Sequence, residues 1–146
     1  MLWFIDNLAR VHLGGEATGG VLDVVEIEAR RGDMPPLHVH HDADETFHLC
    51  EGEVTFHLPG RSFTVGEGET FFAPRGVPHV YRVESERARW LVTGTPAGFV
   101  DFVRETSDEA EADGFPPLGR EHDVARLAEA GARHGIELLG PPGVTP

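Results

Sequence analysis

The sequence predicts an all-β protein, a sandwich or jelly-roll barrel with short helices at its C-terminal end. Between Pro35 and Val83 the chain falls into short segments in which apolar and polar residues alternate, as strands with one buried face do. Gly or Pro stands at nearly every junction, and 18 Gly with 11 Pro in 146 residues suit tight turns between strands better than a helical bundle. After Pro96 the apolar period changes from that of a strand to that of a helix.

The elements follow in order. The apolar run Met1–Ile5 is broken by Asp6 and lacks a cationic leader, so it does not read as a signal peptide, and no segment reaches the length of a membrane span. A Gly-rich turn, Gly14 to Gly20, leads into the alternating run Val21–Glu28, which Arg30-Arg31-Gly32-Asp33 closes as a turn. Short strands are expected at His38–His40, Thr46–Cys50, Glu53–Leu58, Ser62–Val65, Glu69–Ala73 and His79–Val83, with one more at Trp90–Thr95. Phe99, Val100, Phe102 and Val103 have helical spacing, while Ser107–Asp113 is acidic without an apolar face and reads as a mobile loop. A second helix is expected from Asp123, favourable at its N-terminal end, to His134, with Gly135 placed to stop it and Ile136–Leu139 as a final extended piece. No internal repeat is visible. One domain over residues 1–146 is expected, with a barrel core at about 20–95 and a C-terminal helical extension at about 97–146.

Twelve basic against 25 acidic residues give a net charge of −13, which repels phosphate backbones and anionic lipid, so neither nucleic acid nor a membrane is an expected partner. Cys50 has no cysteine to pair with and sits in an alternating apolar stretch, where a small buried thiol is expected. A cytoplasmic location follows by default. Exposed edges of small barrels are usually covered, so a homodimer is expected, with Leu2–Leu13 the first candidate to cross between subunits, packing on its own barrel being the other course open to it.

Four residues suggest a metal site. His38 and His40 lie two apart in a strand-like setting and so project from one face, and Glu45 follows after a short turn. His79 follows the turn Pro74-Arg75-Gly76-Val77-Pro78. Spacing separates these from His12, His48, His57, His122 and His134, and His41 faces away from His40. Three imidazoles and a carboxylate suit a divalent transition metal (Fe, Mn, Ni, Co or Zn) over Ca or Mg, and leave coordination positions open for a small-molecule substrate or dioxygen. Glu45, able to accept a proton from a substrate hydroxyl, is the candidate general base. By strand parity Phe47, Phe56 and Tyr81 are candidates to line a cavity for a flat, mostly apolar substrate; ordinary barrel packing accounts for each of them equally well.

These residues fall into spacings that resemble the two motifs of the cupin superfamily. Gly32, His38, His40, Glu45 and Gly52 match the first, and Gly68, Pro74, Gly76 and His79 the second; Val83 stands where the pattern has Asn. The resemblance implies a double-stranded β-helix, the jelly-roll barrel of that family, with His38, His40, Glu45 and His79 on one metal ion. Pro36–Phe47 together with Gly135–Pro142 is similar to the bacterial cupins grouped with quercetin dioxygenases. That likeness implies insertion of dioxygen into a flavonol, with ring opening and release of carbon monoxide, and Glu45 deprotonating the flavonol hydroxyl. Since cupins host many reactions, a metal-dependent isomerase or lyase, with Tyr81 as second acid or base, and a non-catalytic small-molecule-binding cupin remain alternatives.

Overall fold

Residues 1–111 and 114–146 are described by the structure, a computed structural model. A hairpin of β1 (Leu2–Phe4) and β2 (Asn7–Leu13) precedes a one-turn helix, α1 (Gly15–Thr18), and the long strand β3 (Asp23–Arg30). Then come β4 (Pro36–His40), β5 (Asp44–Glu51), β6 (Glu53–Leu58), β7 (Arg61–Gly66), β8 (Thr70–Ala73), β9 (Val80–Val83) and β10 (Arg87–Thr95). The chain ends with α2 (Phe99–Thr106), β11 (Asp108–Glu109), α3 (Val124–Arg133) and β12 (Ile136–Pro142).

One antiparallel sheet has the order β11-β1-β2-β3-β10-β5-β8. Two shorter ladders, β12-β4 and β7-β6-β9, are stitched together by an isolated antiparallel bridge between His38 and His79. These two residues exchange both backbone bonds, His38 N–H to the His79 carbonyl at 3.3 Å and His79 N–H to that of His38 at 2.9 Å. Their side chains therefore leave the seam on the same side. Alternation fills the space between the sheets: Val25, Ile27, Leu49, Trp90 and Val92 point in from the large sheet, and Val54, Phe56 and Val83 from the other. Glu26, Glu28 and Arg89 on the intervening positions lie less buried.

The helices close one end. The Asp23 carboxylate accepts from the Gly98 and Val100 N–H groups at 2.7 and 2.9 Å, satisfying donors at the start of α2 and fixing that helix to β3. Asp123 caps α3 through the Arg126 N–H at 2.9 Å. Gly131 brings α3 close to β12, since a Cβ there would stand 2.8 Å from the Ile136 carbonyl oxygen.

Leu2–Leu13 pairs with β3 of the same chain, and strand pairing also occurs outside residues 20–95. The expected extended piece Ile136–Leu139 lies in β12, which pairs with β4, a non-local partner that the local sequence pattern does not identify. Two other expectations change. Within the acidic stretch Asp108 and Glu109 pair with β1, and residues 112 and 113 lie outside the described residues. Cys50 is half-buried, because the parity that buries Leu49 turns it outward. No helix among the described residues is long and apolar enough to cross a membrane.

Candidate metal centre and cavity

The donors come from both sheets. β4 supplies His38 and His40 on one face, the seam sets His79 directly beside His38, and Glu45 reaches in from β5 of the large sheet. Glu45 is flanked across its sheet by Gly94 and Ala73, residues small enough to leave its carboxylate room. Gly76, with φ of 76°, donates its N–H to the His40 carbonyl at 2.7 Å, so the turn before His79 is tied to the strand carrying the other histidines.

The ligand atoms of His38, His40, Glu45 and His79 all lie within 4.8 Å of one another. Glu45 Oε2 stands 3.2 Å from both His40 Nε2 and His79 Nε2. Neither contact is aligned as a hydrogen bond, and Glu45 Oε2 and His79 Nε2 are buried without a hydrogen-bond partner among the described residues. Orphaned polar atoms in a core are costly. Donors held about 2.1 Å from one ion and about 90° apart stand about 3.0 Å from each other, close to the spacing observed. The residues present therefore fit a metal ion.

The outer contacts orient the rings. The Nδ1–H groups of His38 and His79 donate to the carbonyls of Pro36 and Val77 at 2.8 and 3.2 Å, leaving each Nε2 with its lone pair turned to the centre. Burial, then repulsion from His79 and His40, pushes the His38 imidazole down to about 3, and burial lowers His40 as well. Burial alone would raise the Glu45 carboxyl, but attraction to His40 and contact with His79 outweigh it and hold it down to about 2. At neutral pH His38 and His40 thus offer neutral nitrogens and Glu45 an anionic oxygen, the forms that ligate metals.

His38, His40 and Glu45 border a cavity of about 660 Å³, within the size range of small-molecule sites. Phe47 and Tyr81 border it as well, whereas Phe56 does not. Phe56 is fully buried beyond Phe47 and stacks on Phe71, with ring centroids 4.2 Å apart, so its inward parity serves the core. Val124 and Leu127 of α3 and Leu139 of β12 line it too. His41 and His48 face outward, on Glu137 and Thr70, and His57 meets Ser62.

Asn7, Asp33, Trp90 and His122 also border the cavity, and none of them was legible as a site residue in the sequence. Asp33 directly follows a motif glycine, Gly32, which is the one local signal it had. Asn7 and His122 arrive from distant segments and carry no pattern. Among the described residues no arginine borders the cavity, and the chain contains no lysine.

Two antiparallel sheets enclosing an inward set of three imidazoles and a carboxylate define a cupin-type barrel. Residues 24–94 match the family described as Cupin domain, Cupin_2, and the fold of the chain is that of a cupin. Its sequence is similar to quercetin 2,3-dioxygenase of Bacillus subtilis (strain 168), 32% identical over 137 residues, which cover 91% of this chain and 40% of that protein. The chain thus spans well under half the length of that relative. Among solved structures it is similar to KdgF from Halomonas sp., with TM-score 0.57 and 17% identity over 63% of this chain and 82% of that one. It is likewise similar to TT1209 from Thermus thermophilus, with TM-score 0.55 and 25% identity over 62% of this chain and 84% of that one.

Proposed function

We infer that the chain is a metal-dependent dioxygenase acting on a small, mostly apolar aromatic substrate such as a flavonol. The observation that carries the reading is the juxtaposition of the four-residue donor set with a cavity of about 660 Å³ whose walls include Phe47, Tyr81 and Trp90. The similarity to a quercetin 2,3-dioxygenase supports it. With no arginine of the described residues at the cavity and three carboxylates, Asp6, Asp33 and Glu45, bordering it, the site favours a neutral substrate over an anionic one.

His38, His40, Glu45 and His79 would hold one divalent ion, Fe, Mn, Ni, Co or Zn, which when bound supplies Lewis acidity and a meeting point for substrate and dioxygen. The protein's own part is positioning and proton transfer. The carbonyls of Pro36 and Val77 keep the His38 and His79 rings turned to the centre. A Glu45 carboxylate oxygen, ionised at neutral pH, accepts the proton of the substrate hydroxyl. Phe47 and Trp90 give the aromatic body an apolar wall, which Leu127 of α3 and Leu139 of β12 extend.

A metal-dependent isomerase or lyase has one observation in its favour: the Tyr81 hydroxyl donates to Asp33 at 3.1 Å in the same cavity, a second acid or base group. Oxygen uptake and quercetin bleaching, measured after loading with each metal, separate the two readings. Uptake matched to flavonol loss in the wild type, abolished in Glu45→Gln, is the expected result. Bound metal without uptake would set the dioxygenase reading aside.

A further inference from the structure

The turn between β1 and β2 brings an amide side chain to the cavity wall. Ile5 at that turn has φ of 56°, an unusual conformation for a β-branched residue, and Asp6 and Asn7 follow it at the cavity border. The Asn7 amide nitrogen donates to Asp33 Oδ2 at 3.0 Å and lies 3.4 Å from the Tyr81 hydroxyl, which itself donates to the same Asp33 oxygen at 3.1 Å. Because the nitrogen is directed at a carboxylate, the other end of the amide is the acceptor. That atom, Asn7 Oδ1, is buried without a hydrogen-bond partner among the described residues, on a side chain only 3% exposed. Trp90, whose ring stands edge-on to Tyr81 at 5.0 Å, holds a second such orphan, the Nε1–H donor.

A cluster this well connected, with a buried acceptor left unpaired on a side chain that borders a cavity, is incomplete without a further donor. The geometry points to a hydroxyl-binding subsite made by Asn7, Asp33 and Tyr81, separate from the metal donors, which takes a neutral aromatic hydroxyl of the ligand on Asn7 Oδ1. This deepens the dioxygenase reading and rests on it for the identity of the substrate: the preferred substrate carries a hydroxyl besides the one deprotonated by Glu45. The subsite itself needs only the cavity. Asp33 and Tyr81 act here as positioning residues, holding the amide so that its oxygen remains the free end. The net burial of one neutral hydrogen bond corresponds to a preference of up to about tenfold.

The test uses 2-naphthol and 2-methoxynaphthalene, equal in ring system but differing in the hydroxyl proton. Both are titrated into the full chain, with and without EDTA, by tryptophan fluorescence. The expected result is an approximately tenfold preference for the naphthol that persists in EDTA and collapses toward parity in Asn7→Leu. Asp33→Asn, which conserves shape, serves as a second variant should Asn7→Leu fail to fold, and the preference is expected to fall there as well. Equal binding of the two ligands by the wild type, binding of neither, a preference lost in EDTA, or one that survives in folded Asn7→Leu would each overturn the subsite. Quercetin oxidation is assayed separately, so a naphthol preference without oxygen uptake would keep the subsite and remove the dioxygenase reading.

Discussion

Replacing His38 by Ala separates metal binding from folding, because the seam with His79 is made by backbone atoms that the substitution leaves in place. What is lost is one imidazole donor and its Nδ1–H bond to the Pro36 carbonyl at 2.8 Å, the latter costing the metal-free protein about 1 kcal/mol. With free metal at about 100 times its Kd, binding stabilises the wild type by about 2.7 kcal/mol. For a chain of this size that corresponds to a rise in Tm of about 5–11 °C. An outer partner of a ligand is worth up to about 100-fold in metal affinity, and a ligand itself is expected to be worth at least as much. At the same metal concentration the variant would then sit near its own Kd and gain only about 0.4 kcal/mol. The assay is thermal unfolding with Ni(II) or Co(II) and with EDTA, alongside metal analysis. His48→Ala, an outward histidine on Thr70, is the control that keeps the full rise. No metal-dependent rise in the wild type, or an undiminished one in His38→Ala, would refute the assignment of the donors.

Acid should weaken the metal-free protein in a defined window. Folded His38 titrates at about 3 against 6.5 unfolded, so between those values the unfolded chain binds more protons and stability falls as pH falls. Glu45, at about 2 against 4.5, adds a further loss as pH drops below 4.5. Urea midpoints that stay flat from pH 7 to 5 would contradict this. Burial raises the Asp33 carboxyl above 3.8, so its ionised form costs stability at neutral pH; Asp33→Asn is expected to unfold at the same or higher urea at pH 7 and to lose that advantage below pH 3.8. A less stable folded variant at pH 7 would count against that burial cost. Phe56→Ala, at a fully buried ring stacked on Phe71, should cost about 3–5 kcal/mol in urea unfolding. A cost below about 1 kcal/mol would place Phe56 outside the core. Gly52 combines φ of 85° with a position where a Cβ would strike the Arg87 carbonyl oxygen, so Gly52→Ala should cost at least about 1 kcal/mol in the same assay.

The sequence by itself determined the strand-rich fold, the helices after Pro96 and the four candidate donors, because each is written in local terms: period-two alternation, Gly and Pro at junctions, and fixed spacing around His38, His40, Glu45 and His79. Parity also turned His41 away from His40. It failed to separate Phe47 from Phe56, since both point inward and only depth in the barrel distinguishes a cavity wall from packed core. Tertiary structure alone decided the rest. The pairing of β12 with β4 and the meeting of Asn7 with Asp33 and Tyr81 join segments up to about a hundred residues apart. Contacts of that kind depend on how the two sheets close on each other, and no local periodicity records where distant chains will meet.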